Sequence, residues 1–276
     1  MLRAADVSCR FGRASVLDRV SVQVPRGGIT GVLGPNGSGK TTLLRILSGA
    51  LAPTGGEVLL DGQPLARVSR RVLARRLAVV PQEIHPVFDY TVLDLALMGR
   101  YAHLGPFGFE SAGDLVAARQ ALAATGTTEF EDRHFDTLSG GEKQRVVIAS
   151  ALAQFDEGHD GPPRLLILDE PTAALDLHYQ FEVGHLLRTL ADARGLTLLV
   201  STHDLQLAWR ICDRVVILQA GRVLADGPTR ETLTPAHLEA LYGVQVEYLT
   251  HADGSVSLVP VPRPGRDPAT QMGLHR

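Results

Sequence analysis

Lysine is nearly absent from this chain. Of its 276 residues, 27 are lysine or arginine, yet only Lys40 and Lys143 are lysine. Keeping lysine at position 40 in a chain that otherwise uses arginine points to a need for a compact ammonium there. Cysteine is just as scarce. Cys9 and Cys212 stand far apart, which excludes a disulfide scaffold and any zinc-type spacing and predicts two reduced thiols in a cytosolic protein. Long apolar runs are missing too. The longest candidates, such as LLIL and LTLLV, fall well short of the roughly 20 residues that span a bilayer. The opening MLRAADVSCRFG has no apolar core of the kind a signal peptide needs. These absences predict a soluble chain whose link to any membrane runs through a partner. Nor is there a strong charge of either sign. The net charge is −3, so nothing points to nucleic acid.

What is present supports a substantial core. Apolar residues make up 45% of the chain, and its length suits one large domain or two small ones. Val16, Leu17, Val20, Val22 and Val24 are punctuated by polar residues, as in short half-buried strands. ITGVL (29–33) reads as a buried strand, GPNGSGKTT (34–42) as a glycine-rich loop, and Leu43, Leu44, Ile46 and Leu47 as a helix closing at Gly49. GGEVLLDGQPL (55–65) reads as a hairpin turning at Asp61-Gly62. LAVVPQ (77–82) is a strand stopped by Pro81. From about 83 to 137 strand runs give way to helical patterns such as VLDLALMGRY and DLVAARQALAATG, and a helix follows over about 140–153. DEGHDGPPR (156–164) is a polar loop, long for a simple connector. LLILD (165–169) and LTLLV (196–200) read as buried strands with a helical segment between them. VVIL (215–218) and GRVLADG (221–227) predict a closing hairpin. The polar, Pro/Gly-rich stretch from Pro260 to Arg276 predicts disorder. Strands alternating with helices predict an α/β fold, with a mostly parallel sheet and helices on both faces.

Two motifs carry chemistry. Gly34, Pro35, Asn36, Gly37, Ser38, Gly39, Lys40 and Thr41 fit G-x-x-x-x-G-K-[ST] in full, with Thr42 behind them. The glycines let backbone N–H groups curl round a phosphate, and the helix starting near Lys40 adds its positive end. Lys40 should reach the β- and γ-phosphates of ATP, and the Thr41 hydroxyl should hold Mg²⁺. A strand before and a helix after argue against a chance glycine turn. Alone, this motif says NTPase or kinase. The apolar strand LLILD ends in Asp169, which places a carboxylate beside the phosphate loop to bind Mg²⁺ through water. Glu170 could polarise the attacking water. The plain alternative is an acidic strand end facing solvent.

Leu138-Ser139-Gly140-Gly141-Glu142 first reads as a capping box, with Ser139 as N-cap and Glu142 three residues on. That leaves the two glycines unexplained, since each costs about 1 kcal/mol against alanine inside a helix. Bare glycines at a helix N-terminus suit close approach of a phosphate. With the two motifs before it, this segment resembles the signature of the ABC ATPase family. The likeness covers roughly residues 2 to 250 and implies a P-loop NTPase (RecA-like) core with an antiparallel β subdomain and an inserted α-helical subdomain. It implies one ATPase domain over 1–250, the helical subdomain at about 83–150, and a tail over 251–276. In that family the signature completes the ATP site of a facing subunit, so Ser139, Gly140 and Gly141 would touch the partner's nucleotide. Gln82 matches the Q-loop glutamine that senses Mg²⁺ and the γ-phosphate. Ala174-Leu175-Asp176 matches the D-loop. His203 matches the switch histidine, and Phe11 resembles the aromatic that stacks on adenine, where tyrosine is commoner. Taken singly, Gln82 could be a surface turn, His203 a satisfied histidine and Phe11 plain core.

The segment Asp89-Tyr90-Thr91-Val92, then Leu97-Met98-Gly99-Arg100-Tyr101, looks like that of importers of iron chelates, heme and cobalamin. ALDLHYQ (174–180) and LEALYGVQVE (238–247) are also similar. The resemblance implies an ATP-sandwiched homodimer working with a polytopic membrane permease and, indirectly, an extracytoplasmic substrate-binding protein. It implies a peripheral place on the cytoplasmic side of the inner membrane, ATP and Mg²⁺ as cofactors, and no nucleic acid. His85 and His103 invite a heme-ligand reading, which is set aside because substrate should not enter a soluble subunit. Rival readings are an exporter ATPase with a separate permease and a non-transport ABC clamp, which usually carries two cassettes or a long coiled coil. A P-loop kinase needs no LSGGE.

Overall fold

The computed structural model of the chain describes residues 1–82, 88–105, 108–155, 163–252 and 256–261. The first strand, Leu2–Phe11 (β1), turns at Gly12 and returns as Ala14–Val24 (β2). Its buried residues change phase on the way: Leu2 and Ala4, then Val7 and Cys9. Asp6, with φ +49°, stands at the break, where pairing shifts register. The irregularity has the character of a bulge and returns Val7 and Cys9 to the core face. Gly28–Leu33 (β3) then runs through residues 34–39 into Lys40–Leu47 (α1).

Gly55–Leu60 (β4) and Gln63–Pro64 (β5) form the expected hairpin. Asp61 and Gly62 have φ of +51° and +82°, the left-handed pair that a tight hairpin turn needs. Arg70–Ala74 (α2) is a short helix not expected from the sequence, with Ser69 accepting from the Val72 N–H at its start. Leu77–Val80 (β6) follows. The helical stretch contains Val92–Met98 (α3), Ala112–Ala124 (α4) and Gly140–Ala153 (α5). Each opens on a reciprocal cap: Thr91 with Asp94, Ser111 with Asp114, Ser139 with Glu142. Such pairs satisfy backbone donors that a helix start leaves free.

Leu165–Asp169 (β7), Leu177–Arg194 (α6) and Thr197–Thr202 (β8) bring the chain back into the sheet. Leu205–Ile211 (α7), Arg214–Gln219 (β9), Arg222–Pro228 (β10), Thr229–Thr232 (α8) and Pro235–Tyr242 (α9) follow. Gln245–Thr250 (β11) and Val256–Val261 (β12) pair as a final hairpin. Strand structure therefore continues beyond position 251, where the sequence suggested a tail, and includes Pro260, read there as disordered. Proline is tolerated because an edge strand can spare its N–H. The 156–162 part of the polar loop and the tail after 261 lie outside the described residues, as does His85.

The main sheet has the order β10-β9-β3-β8-β7-β6. Its strands run parallel except for β10, which returns antiparallel beside β9. They feed alternate residues to two cores. Ile29, Leu33, Leu166, Leu168 and Val200 join the core that includes residues of α3 to α7. Val32, Leu165, Ile167 and Leu199 join the core shared with α1 and the antiparallel sheet β2-β1-β4-β5. Burial on both faces accounts for the unbroken apolar runs LLIL and LTLLV. The second face is covered by a β-sheet as well as a helix, as the family resemblance implied. Among the described residues no helix is long and apolar enough to cross a membrane.

Candidate nucleotide site

The parallel strands end together. Leu33 of β3 pairs with Thr202 of β8, Asp169 of β7 with Ser201, and Val80 of β6 with Leu168. Crevices beyond such carboxyl ends are where open α/β sheets bind ligands. The loop 34–39 leaves β3 here, and Glu170 and His203 each follow a strand by one residue. Gln82 lies two residues past Val80, exposed at the margin of the described chain.

The loop is shaped by its glycines. Gly37 and Gly39 have φ of +79° and +103°, and a Cβ on Gly34 would meet the Ser38 hydroxyl at 2.5 Å. That hydroxyl is buried and has no hydrogen-bond partner. Buried polar groups nearly always have one, so the orphan fits a loop built round a polar ligand. Pro35 and Asn36 complete the turn, and Thr41 and Thr42 open α1, the first exposed and the second half-buried.

Lys40 is only 5% exposed. Its Nζ donates to the Gly34 carbonyl at 2.9 Å and pairs with Glu170 Oε1 at 3.1 Å. The other carboxylate oxygen, Oε2, faces His203 Nδ1 at 3.1 Å. Ammonium, carboxylate and imidazole thus form one line. Glu170 has φ +46°, a region that costs a residue with a side chain about 1–3 kcal/mol. Ser201 fastens it there. The Glu170 N–H donates to Ser201 Oγ at 2.9 Å, and the Ser201 hydroxyl donates to Asp169 Oδ1 at 2.5 Å. Ser201 escaped the sequence reading. Its signal was its place two residues before His203, in a strand parallel to the one that ends in Asp169.

The C-terminal part reaches the same edge. The Tyr242 hydroxyl donates to the His203 carbonyl at 3.5 Å, and the Gln206 amide donates to the Leu258 carbonyl at 2.6 Å. Burial, aided by the charges of Asp204 and Glu170, pushes the Tyr242 phenol up to about 12. It therefore remains a neutral donor. A cleft of about 660 Å³ lies alongside, lined in part by Glu170, Thr202, His203, Tyr242, Leu258 and Pro260.

Other predicted residues stand apart from this line. Phe11 is 53% exposed at the end of β1. The adjoining β2 does touch the loop, because Val16 O lies 3.1 Å from where a Gly39 Cβ would be. Ser139 caps α5, and its backbone N–H donates to Glu142 Oε2 at 2.7 Å. That bond leads in holding the Glu142 carboxyl below its usual range. Gly140 is exposed and Gly141 buried. A Cβ on Gly141 would enter the Tyr179 ring, so this glycine has a packing role that the sequence did not suggest. Asp176 is the exposed N-cap of α6, without a side-chain capping bond. His103 Nε2 meets the Gln154 carbonyl at 2.8 Å.

The ABC transporter family model matches residues 17–173. A cobalamin import ATP-binding protein of Halobacterium salinarum is 40% identical over 248 residues, covering 90% of this chain and 60% of that protein. The chain thus spans less than two thirds of that relative. A hemin import ATP-binding protein of Bordetella pertussis is 41% identical over 252 residues, covering 91% of this chain and 95% of that protein. Among solved structures, an inward-facing ABC transporter classed as metal-chelate type gives a TM-score of 0.82 at 30% identity, covering 95% of this chain and 98% of that chain. A dimeric ATP-binding cassette holding ADP and phosphate after hydrolysis gives 0.68 at 28% identity, covering 83% and 99%.

Proposed function

The chain belongs to the ABC transporter family, and from that premise we propose that it is the ATP-hydrolysing subunit of an importer of a metal chelate: heme, cobalamin or a ferric siderophore. The observation that carries the catalytic reading is the line Lys40–Glu170–His203 at the mouth of a glycine loop. The import reading draws support from relatives named for hemin and cobalamin import.

Each residue then has a task. Backbone N–H groups of Gly34 to Gly39 cradle the phosphates, and Lys40 turns from Glu170 to the β- and γ-phosphates. Released, the Glu170 carboxylate orients and polarises water, while His203 contacts the γ-phosphate. Ser201 keeps Asp169 and Glu170 in place. Thr41, Gln82 and Asp169 are hard oxygen donors of the kind Mg²⁺ takes together with phosphates. When bound, Mg²⁺ would neutralise phosphate charge.

Phe11 would stack on adenine. Ser139, Gly140, Gly141 and Asp176, which take no part in the chain's own lysine line, would complete the site of a second copy. A dimeric solved relative supports that assembly. A small apolar groove lined by residues including Val79, Leu95 and Met98 would receive the permease. Binding protein and cargo would meet that permease outside, leaving this chain peripheral on the cytoplasmic side.

The test is a membrane pull-down with tagged Glu170→Gln in ATP and Mg²⁺. Recovery of a polytopic permease is expected, followed by ATP-dependent uptake of one chelate when the system is reconstituted. Recovery of ribosomes or DNA instead would overturn the transport reading.

A further inference from the structure

The arginines of this lysine-poor chain are not evenly spread. Arg67, Arg70, Arg71, Arg75 and Arg76 fall within residues 67–76, which contain no acid. Arg76 is paired with Asp61. Among the described residues the other four have no carboxylate partner. Arg67, Arg70 and Arg71 are exposed, and the buried Nε of Arg75 lacks a hydrogen bond. Arg70 and Arg71 lie on α2, where Val72 beside them is 50% exposed.

The position of this patch matters as much as its charge. Gln154 lines the groove with Val79, Leu95 and Met98. Its amide donates to the carbonyls of Ala74 and Leu77, at the end of α2 and the start of β6. Arg71 donates to the His103 carbonyl at 3.3 Å, and His103 meets the Gln154 carbonyl. The basic helix therefore adjoins the groove assigned to the permease.

We propose that α2 and the turn before it form a contact for anionic phospholipid headgroups, with Arg67, Arg70 and Arg71 supplying the cations and the exposed Val72 the apolar contact. Exposed cations without acid partners suit a negatively charged surface. A permease is the poorer fit, because its cytoplasmic loops carry excess Lys and Arg, whereas the cytoplasmic leaflet is negative. The orientation rests on the permease reading, but binding to vesicles does not require a permease. Each basic residue near an anionic surface is worth about fivefold in partitioning, so three are worth about a hundredfold.

The experiment is cosedimentation of the full chain with vesicles of phosphatidylcholine, with and without roughly three parts in ten phosphatidylglycerol. Binding is expected only to the anionic vesicles and should vanish at about 1 M salt. The triple variant Arg67→Gln, Arg70→Gln, Arg71→Gln should lose about a hundredfold in partitioning with its ATPase in solution unchanged. The corresponding lysine triple should bind like the parent. Equal binding to neutral vesicles, an undiminished glutamine triple, or tighter binding of a DNA duplex at the same salt would overturn the proposal. Vesicle binding without permease capture would support the lipid contact and count against the transport reading alone.

Discussion

Replacing Glu170 with glutamine should do two opposite things to the nucleotide site. Lys40 is held by Glu170 at 3.1 Å, in surroundings where the two side chains are 5% and 11% exposed. A nucleotide phosphate must take the ammonium away from that carboxylate. A hydrogen bond to a charged partner nets about 1.5–3 kcal/mol, and a neutral amide oxygen in its place about 0.5–1.5. The difference, about 1–1.5 kcal/mol, is a handicap that ATP no longer meets in Glu170→Gln, so binding should tighten about five- to twelvefold. Hydrolysis should fall by about 10²–10⁴, because an amide cannot take the water-polarising role proposed for the Glu170 carboxylate. A fluorescence titration with ATP in EDTA, at protein dilution low enough to keep single chains apart, reads the first effect. Single-turnover release of phosphate with Mg²⁺ restored reads the second. A folded Glu170→Gln that binds ATP no more tightly than the parent would refute the idea that Glu170 competes for Lys40.

Ser201→Ala should destabilise the chain by about 1–3 kcal/mol, because the Glu170 N–H and Asp169 lose the hydroxyl that joins them. Urea unfolding measures that cost, and ATPase should drop with nucleotide binding largely kept. The buried Asp114 is held down at about 2 by hydrogen bonds from the Ser111 side chain and backbone, then from Arg100. Because this folded value is depressed, its stabilisation is present above the ordinary value near 3.9 and is lost as pH falls from about 4 to about 2. Asp114→Asn should cost about 3 kcal/mol at neutral pH and lack that acid step in melting curves taken across the range.

Much of the fold was legible because its signals are local. The Asp61-Gly62 turn, the capping residues of α5 and the run LLILD each depend on chemistry within a few residues. β1 was harder to see, because the irregularity around Asp6 breaks its alternation. α2 is a single exposed turn with no apolar stripe, and β12 hides behind Pro260. The shape of the 34–39 loop was readable because only glycines fit the bends at Gly37 and Gly39. The pairing of Lys40 with Glu170 was not, since it joins residues 130 positions apart through the order of strands in the sheet. Ser201 and Tyr179 escaped for the same reason: a serine in a strand and a tyrosine on a helix carry no mark of what lies opposite.

The two glycines of the 138–142 motif have different neighbours. A Cβ on Gly140 would only touch Leu175 Cδ2, at 3.4 Å, whereas the Tyr179 ring occupies the space a Gly141 side chain would need, and the Tyr179 hydroxyl lies 3.5 Å from Ser139 Oγ. Tyr179 stands three residues beyond Asp176 on α6. The ring therefore clasps the start of α5 to the segment carrying Asp176, like a rivet through two plates. In a two-copy assembly a push on either plate would move the other without passing through the phosphate loop. The stiffness of that linkage, and so how promptly one nucleotide senses its twin, would depend on one aromatic ring seated on one bare backbone position.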